Sequence, residues 1–138
     1  MLANALMSAS GAIFFILGTL HLIYTFHGPK LTPHNPALQA RMGEVHPVIT
    51  RETTMWKTWV GFNASHSLGA MLYGLIYGYL ALAHSAMLFQ SEFLLVLGLV
   101  WLCSFAWLGK RYWFSIPFTG ICISLACYIA SLLAARLV

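Results

Sequence analysis

The sequence predicts an all-α protein, a four-helix transmembrane bundle with one short cytoplasmic amphipathic helix between its first two spans. Of its 138 residues, 60% are hydrophobic and only 7% are charged, whereas charged side chains make up about a quarter of a typical soluble domain. Four apolar runs each have the length of about 20 residues that a bilayer-spanning helix needs. They cover residues 5–26, 58–83, 93–109 and 112–135 of a chain, 1–138, that we expect to form a single integral membrane domain.

Charge and cysteine content exclude several classes of protein. The formal net charge is +4, but the cations form no basic run, so nucleic acid is not an expected partner. Cys103, Cys122 and Cys127 lie inside apolar runs without a Cys-x-x-Cys pair, which is typical of buried free thiols rather than of a disulfide-exchange enzyme. Residues 1–10 lack the cationic start of a signal peptide, so we expect the first span to be retained.

The cations predict how the spans are oriented. Of the seven Lys and Arg residues, six fall in the first and third connections and one, Arg136, falls on the opposite face. Because cytoplasmic connections are enriched in cations, both termini are expected outside, in a bacterial inner membrane. The six cations on the cytoplasmic face are Lys30, Arg41, Arg51, Lys57, Lys110 and Arg111.

The long first connection carries the signals of a short helix. Asn35 is a favourable N-cap, and Pro36 suits the first helical position. Apolar residues then repeat at helical spacing, which predicts an amphipathic helix over about 36–45 that lies on the membrane surface or caps the bundle. The apolar positions are Leu38, Met42 and Val45.

Shorter signals place the remaining connections. Thr50 is the expected cap of the second span, whose first turns extend into the cytoplasm before Trp59 enters lipid. A short connection is predicted at 84–92 and a tight turn at 109–111. Connections this short make consecutive helices antiparallel neighbours.

Small residues recur on one face of the first, second and fourth spans. Helices in lipid associate by close packing and interhelical hydrogen bonds, so such faces predict helix contacts. Gly74 and Gly78 also have the spacing of a dimer motif, which leaves a homo-oligomer open beside the favoured packing within one chain. The faces comprise Gly11, Gly18 and Thr25, then Ala70, Gly74 and Gly78, then Gly120, Ser124, Cys127 and Ser131.

Polar residues at a common depth form the candidate site. His21 lies about five residues inside the cytoplasmic end of the first span, and Asn63 and His66 lie about five to eight inside the same end of the second. At 1.5 Å per residue, these positions coincide roughly 8–12 Å into the membrane. The sequence therefore predicts that these side chains meet.

Further polar residues are expected to join them in one inward-facing layer. Tyr24 lies one turn nearer the cytoplasm than His21, and Ser67 shares a helix face with Asn63. Ser104 and Thr119 are placed at a comparable depth on the third and fourth spans. The candidate ligand-binding residues are His21, Tyr24, Asn63, His66 and Ser67.

The polar layer admits four interpretations. Its residues could bind the head of a lipid, a quinone or another small amphiphile, could ligate a haem or a metal, could relay protons, or could only hydrogen-bond one another as interhelical glue. Two histidines without a carboxylate at that depth do not make a zinc site, so no residue is assigned to metal binding, and none to catalysis. Glu44, Glu52 and Glu92 lie outside the spans, which argues against a proton-coupled exporter.

Three segments carry a family resemblance. Residues 28–31 (GPKL), 48–56 (VITRETTMW) and 61–69 (GFNASHSLG) resemble an uncharacterised bacterial family of small four-helix membrane proteins. The resemblance covers roughly residues 11–80 and implies the architecture but no activity. The order of one span, a loop with a short helix and three more spans is also similar to the DoxX-like and anthrone-oxygenase-like membrane proteins, which implies a role associated with an oxidoreductase without naming a residue.

Taken together, these observations predict a small, non-catalytic or accessory integral membrane protein that binds a small amphiphile in an intramembrane polar pocket. One alternative is a membrane oxidoreductase, or a subunit of a redox complex, that uses the histidine pair for haem or metal. A second alternative is a purely structural bundle or assembly subunit. Whether the chain is an enzyme stays open among these alternatives.

Overall fold

The computed structural model describes residues 1–137, and all regular secondary structure in that range is helical. Four of its helices are long and apolar enough to cross a membrane, which confirms the predicted fold class and is as expected for a multi-pass membrane protein. Two further helices are short. In chain order the six are α1 (Leu2–Phe26), α2 (Pro36–Glu44), α3 (Met55–Ala83), α4 (Ser85–Gln90), α5 (Glu92–Tyr112) and α6 (Ser115–Arg136).

The start of α3 differs from the prediction. The helix begins at Met55, and the Thr54 hydroxyl accepts a 3.3 Å hydrogen bond from the Lys57 amide. The Thr50 hydroxyl instead accepts from the Glu52 amide at 3.1 Å, which closes a local turn of the kind that threonine forms outside helices. The prediction that Thr50 caps the second span is therefore wrong, because a cap must lie directly before the free amides of the first turn.

The last connection also differs from the prediction. Residues 109–111, expected as a tight turn, form part of the final turn of α5. Lys110 and Arg111 stabilise that turn because cations interact favourably with the carboxyl-terminal end of the helix dipole. The helix breaks instead at Trp113 and Phe114, which have extended backbone angles.

The second connection, predicted only as a short one, contains the helix α4. Leu88 is fully buried, so the hydrophobic effect holds this six-residue helix in place where its length alone could not. The Ser91 hydroxyl accepts a 3.3 Å hydrogen bond from the Leu94 amide and so caps α5 directly afterwards.

The described residues divide into two compact units. The bundle unit comprises residues 1–17 and 70–137 and contains parts of all four long helices. The loop unit comprises Gly18–Gly69, with the end of α1, all of α2 and the start of α3. That the whole chain forms a single domain stays a prediction.

Close backbone contact and aromatic packing build the core of the bundle unit. A Cβ atom placed on Gly74 would lie 2.5 Å from the Gly11 carbonyl oxygen, so α1 and α3 touch through their backbones at this point. The Phe14 ring packs edge-on against Tyr73 and Phe105, with ring centroids 5.1 Å apart in each pair. The contact between the two glycines confirms that these small-residue faces pack within one chain, and a homo-oligomer stays a prediction.

Hydroxyl groups link the helices of the bundle unit. The Ser124 hydroxyl donates to the Ser10 carbonyl at 2.9 Å, and the two serine hydroxyl oxygens lie 3.0 Å apart. Because the one proton of Ser124 goes to the carbonyl, the Ser10 hydroxyl is the donor between the two side chains. Three more hydroxyls donate to carbonyls of other helices: Ser131 to Ala3 at 2.8 Å, Tyr77 to Leu94 at 2.6 Å and Tyr128 to Leu95 at 2.8 Å.

The loop unit is organised around α2 and the ends of two spans. The Asn35 side chain accepts a 2.9 Å hydrogen bond from the Ala37 amide, and Pro36 is the first helical residue. These contacts confirm the predicted cap, and α2 ends at Glu44, one residue before the predicted end. All nine residues of α2 are partly or fully exposed, so the local capping chemistry rather than burial defines this helix.

Candidate functional site

Two of the predicted site residues meet in the loop unit. The His21 Nε2 atom on α1 and the Asn63 Oδ1 atom on α3 lie 3.0 Å apart. Asn63 is buried, with 8% of its surface exposed, and His21 is half-buried. The prediction that this imidazole and this amide meet is therefore confirmed, whereas their depth in the membrane and a ligand-binding role for them stay predictions.

The hydrogen bonds of Asn63 determine which nitrogen of His21 carries a proton. The Asn63 Nδ2 group donates to the Trp59 carbonyl at 2.8 Å, and a carbonyl can only accept. The oxygen of the amide must then face His21, so the Nε2 atom of His21 must be protonated and donate. In the neutral ring the Nδ1 atom of His21 is consequently the one that offers a lone pair.

His66 and Ser67 adjoin this pair in different ways. The His66 ring lies edge-on to the His21 ring, with centroids 5.4 Å apart and an interplanar angle of 73°. Ser67 is fully buried, and its hydroxyl donates to the Asn63 carbonyl one turn earlier at 2.8 Å. The Ser67 hydroxyl therefore satisfies backbone of its own helix, as serines within apolar helices commonly do.

Tyr24 forms a separate contact with a cation of the first connection. The Lys30 ammonium lies over the Tyr24 ring, 3.9 Å from its centroid, which is a cation–π geometry. Lys30 entered the sequence reasoning only as a topology signal. The structure shows that Tyr24 positions this cation within the loop unit.

The predicted inward-facing layer does not extend to the third and fourth spans. Ser104 on α5 and Thr119 on α6 are both exposed, and the Ser104 hydroxyl donates to the Val100 carbonyl of its own helix at 2.7 Å. The prediction that these two residues face inward is wrong. The depth of a residue along a helix follows from its number alone. The direction of its side chain also depends on the rotation of about 100° that each residue adds, so residues at one depth can face opposite ways.

The loop unit contains a cleft of about 370 Å³ that the sequence did not predict. Trp59 connects this cleft to the pair formed by His21 and Asn63. Its indole donates to the Leu31 carbonyl at 3.0 Å, and its backbone carbonyl accepts from Asn63. The only sequence signals were an interfacial tryptophan and the apolar face of α2. The cleft is lined by Lys30, Leu31, Thr32, Pro33, Met42 and Trp59.

A larger depression of about 490 Å³ lies on the bundle unit, but its form is different. All of its lining residues belong to α5, so it is an open helix face rather than an enclosed site. Its wall is mostly apolar and includes Trp107 and Val100, which are exposed. Such a face is what lipid chains cover in a membrane helix. The smaller cleft is also open to its surroundings, but it is lined by the first connection, α2 and α3 together, which makes it the better candidate for a ligand.

The side chains that could ligate a metal ion are few in the described residues, and binding of haem by the histidine pair stays a prediction. Within residues 1–137, no group of three or more His, Cys, Asp and Glu side chains could hold a metal ion. The Nε2 atom of His21 carries a proton and is not available as a ligand, whereas its Nδ1 atom keeps the lone pair that a metal would bind. Among the histidines of the first connection, His46 uses its Nδ1 atom to donate to the Thr53 carbonyl at 2.5 Å.

Comparisons with known proteins add no further constraint on the site. No protein-family model, curated protein or solved structure matches the chain. The resemblance to small four-helix bacterial membrane proteins therefore stays a prediction. The contacts and the cleft of the loop unit are therefore the observations that bear on function.

Proposed function

We propose that this chain is a small, non-catalytic membrane protein of the bacterial inner membrane, with both termini outside, that binds one amphiphile with an anionic head. The cleft beside α2 is the proposed site. The observation that carries the proposal is that Lys30, whose ammonium lies over the Tyr24 ring, lines this cleft together with largely apolar side chains. The polar end of such a ligand meets Lys30, and its chain meets the apolar side chains.

The electrostatic part of the proposal depends on Lys30. Among the described lining residues it is the one that carries a charge, and no carboxylate accompanies it there. The Tyr24 ring holds the ammonium at 3.9 Å from its centroid, which reduces the side-chain freedom lost when an anion binds. A phosphate or carboxylate head then gains charge-assisted hydrogen bonds to the ammonium.

The apolar part of the proposal depends on the remaining wall. Leu31, Pro33, Met42 and Trp59 offer hydrophobic surface, and methionine adapts readily to ligand shape. A volume of about 370 Å³ is at the lower end of the range of roughly 300–1,000 Å³ seen for small-molecule sites. The cleft therefore suits a head group and its first methylene groups, with the rest of the chain extending into the bilayer.

The predicted site residues have a supporting role in this proposal. His21 and Asn63 do not contact the ligand but hold the Trp59 backbone through the Asn63 amide. Tyr24 holds Lys30. Rigid support of this kind improves affinity because fewer side chains must be ordered when the ligand binds.

The test is binding of single-chain lipids to the purified full-length protein in a neutral detergent. We expect lysophosphatidylglycerol to bind more tightly than lysophosphatidylcholine, because only the former has a net negative head. Lys30→Gln should weaken lysophosphatidylglycerol binding about tenfold, as expected for loss of a charge-assisted hydrogen bond worth about 1.5 kcal/mol.

Lys57→Gln is the matched control. Lys57 is exposed, lies in the same unit and does not line the cleft, so its replacement removes the same charge without touching the site. Equal weakening by both variants would show that only overall charge matters and would contradict the proposed site. Absence of saturable binding by the unmodified protein would favour the structural alternative.

A further inference from the structure

Two neighbouring aliphatic side chains project from the loop unit outside the four membrane spans. Val48 and Ile49 are 110% and 92% exposed. Single exposed aliphatic residues are common on protein surfaces, but two adjacent ones at this level of exposure form an apolar projection. We call these two residues the Val48–Ile49 tip.

Hydrogen bonds hold the tip in a defined conformation. The Thr50 amide donates to the Pro47 carbonyl at 3.3 Å, which closes a turn with the two aliphatic residues at its centre. Below the turn, the Met55 amide donates to the Val45 carbonyl at 2.9 Å. The exposure of the tip is therefore a property of a closed loop and not of an unconstrained segment.

The segment that carries the tip is cationic. Residues 27–57 contain four cations and two acids, a net charge of +2 at neutral histidine. Arg41 and Glu44 form an ion pair at 3.0 Å, and Arg51 directly follows the turn. Aliphatic side chains together with an excess of cations are the features that bind the anionic surface of a bilayer.

The connection between the tip and α3 keeps the tip near a bilayer. The hydrogen bond between Val45 and Met55 fastens the base of the loop to the first residue of α3. Met55 follows Ile49 by six positions in the chain, so an extended chain of about 3.3 Å per residue spans at most roughly 20 Å. A headgroup layer at the start of α3 is therefore within reach of the tip.

We propose that the Val48–Ile49 tip inserts into the headgroup layer of an anionic membrane, the same membrane that α1 and α3 cross. The two aliphatic side chains enter between lipids, and Arg51, which directly follows the turn, contacts lipid phosphates. This contact orders the first connection against the membrane. The inference does not depend on the cleft, because none of the cleft-lining residues belongs to the tip.

The experiment measures the depth of a nitroxide spin label at the tip. Cys103, Cys122 and Cys127 are replaced by alanine, and Ile49→Cys is labelled in the full-length chain within phosphatidylcholine vesicles with and without phosphatidylglycerol. With phosphatidylglycerol present, we expect the label to collide with oxygen several-fold more often than with a water-soluble nickel complex. Val48→Cys repeats the measurement if the first variant does not fold.

Ala40→Cys is the matched control, because Ala40 is an exposed residue of α2 in the same unit. Its label should collide preferentially with the nickel complex. A tip label that is equally accessible to the nickel complex would overturn the proposal. An immobilised tip label shielded from both reagents would overturn it in favour of a protein contact, and equal depth in the two kinds of vesicle would overturn the assignment to anionic lipid.

Discussion

The bundle unit and the loop unit satisfy their polar side chains in different ways. In the bundle unit, hydroxyl groups donate across the helices to backbone carbonyls, as Ser131 does to Ala3 and Tyr128 does to Leu95. In the loop unit, an imidazole and an amide bond each other, and the amide in turn bonds the backbone of Trp59. The first arrangement uses the donor of a hydroxyl completely, whereas the second leaves one ring nitrogen of His21 outside this hydrogen bond.

Under the proposed function, this difference separates residues that only hold helices together from residues that also support a site. A hydroxyl bonded to a carbonyl in the core of a helix bundle has no donor left for a ligand. The loop unit, in contrast, combines the His21 ring, which has a second nitrogen outside its bond to Asn63, with the Lys30 ammonium over Tyr24 and an open cleft. Serines and histidines are similarly conspicuous in an apolar sequence, but only their tertiary partners distinguish the two roles.

The largest effect is expected from closing the backbone contact of the bundle unit. Gly74→Ala places a methyl group 2.5 Å from the Gly11 carbonyl oxygen and 2.7 Å from the Phe15 Cβ atom, and neither neighbour can move without shifting a helix. We expect the free energy of unfolding to fall by about 3 kcal/mol, the upper part of the usual cost of overpacking. Circular dichroism during unfolding in mixed detergent micelles measures this change.

Gly78→Ala is the control for that variant, because a Cβ atom at Gly78 meets no other atom within 4 Å. Its stability should stay within about 0.5 kcal/mol of the unmodified protein. Equal destabilisation by both variants would indicate that any added methyl group on this helix face lowers stability, and that the contact with Gly11 is not the cause.

A smaller effect is expected from removing one hydroxyl link of the bundle unit. Ser124→Ala eliminates both the bond to the Ser10 carbonyl and the contact with the Ser10 hydroxyl. We expect a loss of about 1 kcal/mol, since interhelical hydrogen bonds in membranes contribute roughly 0.6 to 1.7 kcal/mol. Ser104→Ala, at an exposed residue bonded within its own helix, should leave the unfolding midpoint unchanged, and a comparable loss there would refute the assigned role of Ser124.

In the loop unit, removal of the amide should change the protonation pattern of an imidazole as well as stability. Asn63→Leu deletes the acceptor that selects the Nε2–H form of His21, so the ring should become a mixture of tautomers, with a stability loss of about 1 kcal/mol. Nitrogen NMR of selectively labelled histidine reports the tautomer directly. A predominantly Nδ1–H ring in the unmodified protein would contradict the hydrogen-bond assignment, and Ser65→Ala serves as a control on the same helix.

The smallest effect is expected from the surface ion pair of α2. Arg41 and Glu44 are 3.0 Å apart, but both side chains are mostly exposed, so water and salt screen their attraction. Glu44→Gln should change the unfolding free energy by less than about 0.5 kcal/mol. A larger loss, measured in the same detergent assay, would mean that α2 is more firmly packed than its exposure indicates.

Local sequence signals accounted for most of the helices but not for all of their ends. Asn35 and Pro36 located α2 to within one residue, because a cap and a proline act on their immediate neighbours. Thr50 and Thr54 are equally good caps by residue type, and the choice between them depends on which turn forms before α3. α4 went unpredicted because burial of Leu88 defines it, and burial depends on the other helices.

The candidate site could be predicted only in part. Depth along the spans brought His21 and Asn63 to one level, and their contact is present. The same reasoning placed Ser104 and Thr119 in an inward layer, although both are exposed. Depth depends on residue number alone, whereas the direction of a side chain depends on how each helix is rotated against its neighbours.

The sequence by itself determined that this is an all-helical membrane protein with four spans and a short helix after the first, because apolar length and capping are properties of contiguous residues. Only the tertiary structure decided that Lys30 and Trp59 line one cleft and that Asn63 selects the tautomer of His21. These partners are distant in the chain, so the packing and rotation of whole helices determine which side chains meet.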